Sequence, residues 1–171
     1  SSNVQRAFEL EDVVSRLADC FRGQGRGGAL LVGRSGAGKT AALHELVATS
    51  AHLGLGDVEF WETSGARLVA GMSGFGMWQQ RCRELLDVAK QVKIILHLGN
   101  LVELMGVGQS ECCKQGMASF LRPYIASGEL PVVLECVPEQ IDVIEREDPS
   151  LLTAFTRVDV GDSSPEKTRR I

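Results

Sequence analysis

Eight consecutive residues, Gly33-Arg34-Ser35-Gly36-Ala37-Gly38-Lys39-Thr40, carry the spacing in this chain most specific for a chemistry. The order G-x-x-x-x-G-K-[ST] suits phosphate. Glycines let successive backbone N–H groups turn inward around an anion, and the helix that follows aims its positive end at the same place. The expected nucleotide-phosphate site is Gly33, Arg34, Ser35, Gly36, Ala37, Gly38, Lys39, Thr40 and Ala41. Lys39 would reach the outer phosphates, and the Thr40 hydroxyl would ligate Mg²⁺.

Such a loop works only between a strand and a helix, and both are legible. The apolar run Ala29-Leu30-Leu31-Val32 precedes it, and Ala41, Ala42, Leu43, Leu46 and Val47 follow at helical spacing, to about Ala51. Ahead of these lies an amphipathic helix within 4–21, expected from about Glu11, and a glycine-rich connector over 22–28. Beyond, the pattern predicts strands over 58–62, 92–98, 130–136 and 157–160, with Pro131 tolerated at the start of its strand. Helices are predicted over 77–90, 113–126 and 138–148, with short turns over 64–69 and 151–156. Alternating strands and helices with a phosphate loop after the first strand give an α/β fold: a P-loop NTPase three-layer sandwich around a central parallel sheet. The expected division is 1–28 as N-terminal helix and connector, 29–160 as the α/β body, and 161–171 as a polar tail or linker.

The chain has 171 residues, 44% of them hydrophobic, enough for one domain with a proper core. No apolar run approaches the ~20 residues of a membrane helix, and no signal peptide opens the sequence, so no membrane partner and a cytoplasmic location are expected. A net charge of −4 argues against a broad hold on nucleic acid. The five cysteines, Cys20, Cys82, Cys112, Cys113 and Cys136, lack paired metal-site spacing and read as free thiols, Cys112 and Cys113 at or near the surface.

Taken in order, segments 31–41, 68–76, 94–108, 120–130 and 144–152 resemble the AAA+ module of the Clp/Hsp100 unfoldases, in its large α/β subdomain. The resemblance implies ATP or ADP with Mg²⁺, bound between neighbours in a homo- or hetero-oligomeric ring, and a polypeptide substrate drawn through a central pore. Phe75, between glycines, stands at the aromatic position of the family's pore loop; the alternative is a loop aromatic folded onto the core. The helical lid that completes the family's adenine pocket has no counterpart after 160, which reads as a fragment of a longer protein.

The resemblance fails where hydrolysis is carried out. Family members end the third strand with an Asp-Glu pair, one acid ordering the Mg²⁺ shell and the next polarising the attacking water. Gly99 and Asn100 stand there. Glu103 reads as a solvated carboxylate and His97 as a core histidine, a role as base being its alternative. Cys136 takes the place of the small polar residue that touches the γ-phosphate or the attacking water, and a thiol is a weak donor. Thr153 and Ala154 replace the pair of arginines offered to the neighbouring site, a contribution of ~10³-fold or more in related NTPases. The expectation is an ATP/ADP-binding Clp-like domain of a ring-forming unfoldase or chaperone with little or no hydrolysis. An active ATP-hydrolysing unfoldase domain and a nucleotide-free assembly module stay open as alternatives, with a small-molecule kinase more distant.

Overall fold

The structure is a computed structural model and describes residues 2–22, 27–72 and 76–161. Its five strands are β1 (Gly28–Val32), β2 (Glu59–Glu62), β3 (Ile94–Asn100), β4 (Val132–Cys136) and β5 (Thr156–Asp159). They form one sheet in the order β2-β3-β4-β1-β5, every pairing parallel. All five residues of β1 are buried, because strands flank it on both sides and helices cover both faces. β2 lies at an edge, and of its residues only Phe60 is half-buried.

Side chains alternate across the strands and divide the core in two. Leu30, Val32, Leu96, Leu98, Val132, Leu134 and Cys136 pack on one face with Cys82 and Leu86 of α4 (Met77–Gln91), Leu104 of α5 (Leu101–Gly106), Leu121 of α6 (Met117–Ala126) and Ile144 of α7 (Pro138–Glu147). Ala29, Leu31, Ile95, Val133 and Val158 face the other way, against Leu17 of α1 (Ser2–Phe21) and Ala42 and Leu46 of α2 (Lys39–Thr49). The remaining helix, α3 (Gly65–Val69), is a single turn capped by Ser64 Oγ, which accepts the Arg67 N–H at 3.2 Å. The result is the expected three-layer P-loop sandwich.

Several boundaries differ from the sequence expectation. Helix α1 begins at Ser2 rather than near Glu11; its buried residues start only at Val13, so the expected amphipathic pattern describes its second half. Helix α2 stops at Thr49 and tightens into a 3₁₀ turn, Ser50–Leu53, closed by Gly54 in the left-handed region. Helix α6 starts at Met117, not at 113. A Cβ on Gly116 would stand 2.0 Å from the Met105 carbonyl oxygen, and the Met117 N–H donates to Val107 O at 2.8 Å, so the chain runs against α5 before it can coil. Strand β3 extends through Gly99 and Asn100, and α5 follows at once, an element the sequence reading did not assign.

Candidate functional site

The phosphate loop joins the C-terminal end of β1, in the sheet's interior, to α2. Gly33 is buried, its N–H donating to Cys136 O at 3.1 Å, while Arg34, Ser35, Gly36, Thr40 and Ala41 are exposed. Ala37, Gly38 and Lys39 are half-buried. The loop turns inward through Gly36 and Gly38, with φ of 79° and 109°, conformations side-chain-bearing residues rarely adopt. Its outer wall is the chain leaving β5: a Cβ on Gly33 would lie 2.7 Å from Val160 O, and Val160 N–H donates to Val32 O at 2.8 Å.

Two features fit this loop to an anion. Gly38 caps α2 with no side-chain hydrogen bond, which leaves the helix's first-turn N–H groups without a side-chain acceptor. Lys39 Nζ folds back into the loop, donating to Gly33 O and, at 3.2 Å, to Arg34 O. Carbonyl oxygens thus occupy donors that phosphate oxygens would take in preference, because a charge-assisted bond to phosphate is stronger.

Gly99 and Asn100 end β3 beside the end of β4, on the same edge of the sheet as the loop. Gly99 has a φ of 80°, a left-handed conformation, and no atom lies within 4 Å of a Cβ built on it. Asn100 is committed elsewhere: its Oδ1 accepts the Glu103 N–H at 3.1 Å, capping α5, and its Nδ2 donates to Gln140 Oε1 at 2.9 Å. Gln140 Oε1 in turn accepts the Val137 N–H at 3.0 Å. Glu103 is exposed in the first turn of α5. Cys136 packs into the apolar face formed by α4 to α7, and burial pushes its thiol up to about 11. Thr153 and Ala154 lie on a 3₁₀ turn at the opposite, N-terminal edge of the sheet, where a Cβ on Gly28 would come 2.6 Å from Ala154 O. The loop, Gly99, Asn100 and Cys136 therefore share one edge, and Thr153 and Ala154 do not. Phe75 lies outside the described residues.

A pair that the sequence reading did not connect stands beside the loop. His97 is not a core histidine but half-buried, its Nε2 3.1 Å from Glu135 Oε2 across β3 and β4, with each side chain 23% exposed. The hydrogen bond to His97 holds the Glu135 carboxyl below its usual range against the opposing effect of burial, and the charges of His97 and Lys39 add to the lowering. The apolar pattern of β3 hid this pairing, since the partner lies on another strand.

No protein-family model matches the chain. The chaperone protein ClpB of Aquifex aeolicus is 30% identical over 147 residues, 83% of this chain and 14% of the relative. The chaperone protein ClpB of Mycoplasma genitalium is 27% identical over 169 residues, 94% of this chain and 24% of the relative. The chain thus spans about a quarter or less of the curated relatives it matches. Among solved structures, the S. cerevisiae Hsp104–ADP complex superposes with a TM-score of 0.72 at 21% identity, covering 92% of this chain and 23% of that one.

Proposed function

From the premise that this chain is a Clp/Hsp100-type AAA+ module, we propose that it binds ATP or ADP with Mg²⁺ and hydrolyses little or none of it. The observation that carries the reading is the contrast along one sheet edge. The loop keeps its left-handed glycines, an uncapped helix start and Lys39, whereas the end of β3 offers a left-handed glycine and an asparagine occupied in capping α5. Bound Mg²⁺ would neutralise phosphate charge, with Thr40 its one protein hydroxyl ligand in the loop. Holding the phosphates is left to the loop N–H groups and Lys39. Neither Gly99 nor Asn100 can take a proton from water, and Cys136, buried and neutral, makes a poor polar contact.

The name of the curated relatives, chaperone, supports a place for the module in a ring-forming unfoldase or chaperone acting on polypeptide. In that reading residues 29–160 hold the nucleotide and Phe75 belongs to the substrate-facing loop. Among the described residues no helix is long and apolar enough to cross a membrane.

Calorimetric titration with Mg-ATP and Mg-ADP, with Lys39→Ala as control and phosphate release followed in the same samples, tests the reading. Binding that requires Lys39 without release above the control is expected. Lys39-dependent release would overturn it in favour of an active unfoldase domain. Absence of binding would favour a nucleotide-free assembly module.

A further inference from the structure

We propose that Glu135, held in place by His97, is the carboxylate that positions nucleotide-bound Mg²⁺ in this chain, taking over from β4 the role that Gly99 cannot fill at the end of β3. The inference rests on the nucleotide-binding reading above and gives a loop without a neighbouring Asp a carboxylate through which to favour the metal-bound form.

Glu135 lies on the correct face of the sheet. Val133 and Ile95 pack against the layer of α1 and α2, and strand alternation places Glu135, two residues after Val133, and His97, two after Ile95, on that same face. Helix α2 begins at Lys39 and Thr40, so the carboxylate lies on the side where phosphates and metal would sit. The neighbouring Cys136 carbonyl accepts the Gly33 N–H at 3.1 Å, which ties the end of β4 to the loop's first residue.

The His97 contact fixes the carboxylate without consuming it. One oxygen, Oε2, meets Nε2 at 3.1 Å, and the side chain keeps 23% of its surface exposed, leaving lone pairs for a water on a metal. Among the described residues no cluster of three His, Cys, Asp or Glu side chains could hold a metal ion unaided. A cation here therefore depends on phosphate oxygens, with Thr40 and the Glu135 carboxylate as helpers. Without a metal, an ionised carboxylate beside phosphate is repulsive; with Mg²⁺ between them the same charge is attractive. Glu135 thus makes nucleotide affinity depend on Mg²⁺.

Glu135→Gln keeps the shape and a hydrogen bond to His97 and removes only the charge. The test is the ratio of ADP dissociation constants in EDTA and in Mg²⁺, measured by calorimetry on the full chain. A second readout is Mn²⁺ binding to the ADP complex by electron paramagnetic resonance. The expected result is a Mg²⁺ enhancement lowered about tenfold in Glu135→Gln, the low end for a group that orients a metal's shell, with EDTA affinity equal or higher. His97→Gln, which keeps the carboxylate but loosens it, is expected to fall between the two. An unchanged ratio in either folded variant overturns the proposal while leaving the nucleotide reading intact. Failure of the unsubstituted chain to bind ADP in either condition overturns both.

Discussion

Asn100 Nδ2 donates to Gln140 Oε1 over 2.9 Å and so ties the end of β3 to the first turn of α7. The same side chain caps α5. An acid restored at this position would therefore disturb two helix starts. Asn100→Glu is expected to cost about 1 kcal/mol through the lost cap, read as a lower urea midpoint, and to give no phosphate release above Lys39→Ala. Asn100→Asp keeps a capping oxygen but sets a carboxylate oxygen against Gln140 Oε1, which the Val137 N–H holds as an acceptor, so its midpoint should fall through that contact rather than through the cap. An unchanged midpoint in Asn100→Glu would show that the cap contributes nothing.

Glycines around the loop separate crowding from backbone strain. At Gly33 a Cβ would press on Val160 O at 2.7 Å, so Gly33→Ala should cost about 1–3 kcal/mol as overpacking. At Gly36 there is open space but a φ of 79°, and Gly36→Ala should cost about 1–2 kcal/mol from conformation alone. Gly116→Ala, with its Cβ 2.0 Å from Met105 O, should be the most damaging of the three. Chemical denaturation of the three variants checks the order.

The five thiols should react in sequence. Cys112 is exposed and Cys113 half-buried, while Cys20, Cys82 and Cys136 are buried. A thiol reagent is expected to label Cys112 first, Cys113 next and the other three only on unfolding, resolved by mass spectrometry of peptides.

All three buried thiols, Cys20 included, are pushed up by burial, which bears on stability at alkaline pH. Burial pushes Cys82 up to about 12 and Cys136 up to about 11, from 9.0. With folded values raised, their contribution is complete below pH 9.0 and is lost as pH rises toward those values, because the unfolded chain gives up the protons first. Urea midpoints should decline above pH 9, and Cys136→Ala should flatten that decline while lowering the midpoint at pH 7.

On the acid side the sign reverses. His97 holds the Glu135 carboxyl below its ordinary 4.5, so the pair's contribution is present above that value and is lost as pH falls through the lower folded value. Glu135→Gln should remove this part of the acid dependence. An identical acid profile in the variant would show that the His97–Glu135 contact adds no stability.

What the sequence revealed was local. The glycine loop, the apolar run of β1 and the helical spacing of α4 depend on neighbours in the chain, and each appears within a residue or so of its expected place. Helix α5 went unassigned because it is short, although Asn100 followed by Leu101, Leu104 and Met105 is a cap and an apolar face at the right spacing. The early start expected for α6 failed because Gly116 packs against the Met105 carbonyl with no room for a Cβ, a contact that periodicity does not register. His97 was read as core for a similar reason: Glu135, its partner, is brought beside it only when β3 and β4 align.

The order of the strands has a consequence for when the phosphate loop comes into being. Strand β1 pairs on one side with β4, Gly28 against Val132, and on the other with β5, Ala29 against Thr156. Chain emerging from a ribosome carries the loop early and both of its flanking strands late, so closure of those long spans must precede any firm cradle. A chain interrupted after Cys136 would have the glycines and Lys39 but lack Val160, the loop's outer wall. Nucleotide would therefore join only a nearly complete sheet, and its binding would reward completion of this α/β body rather than guide its start.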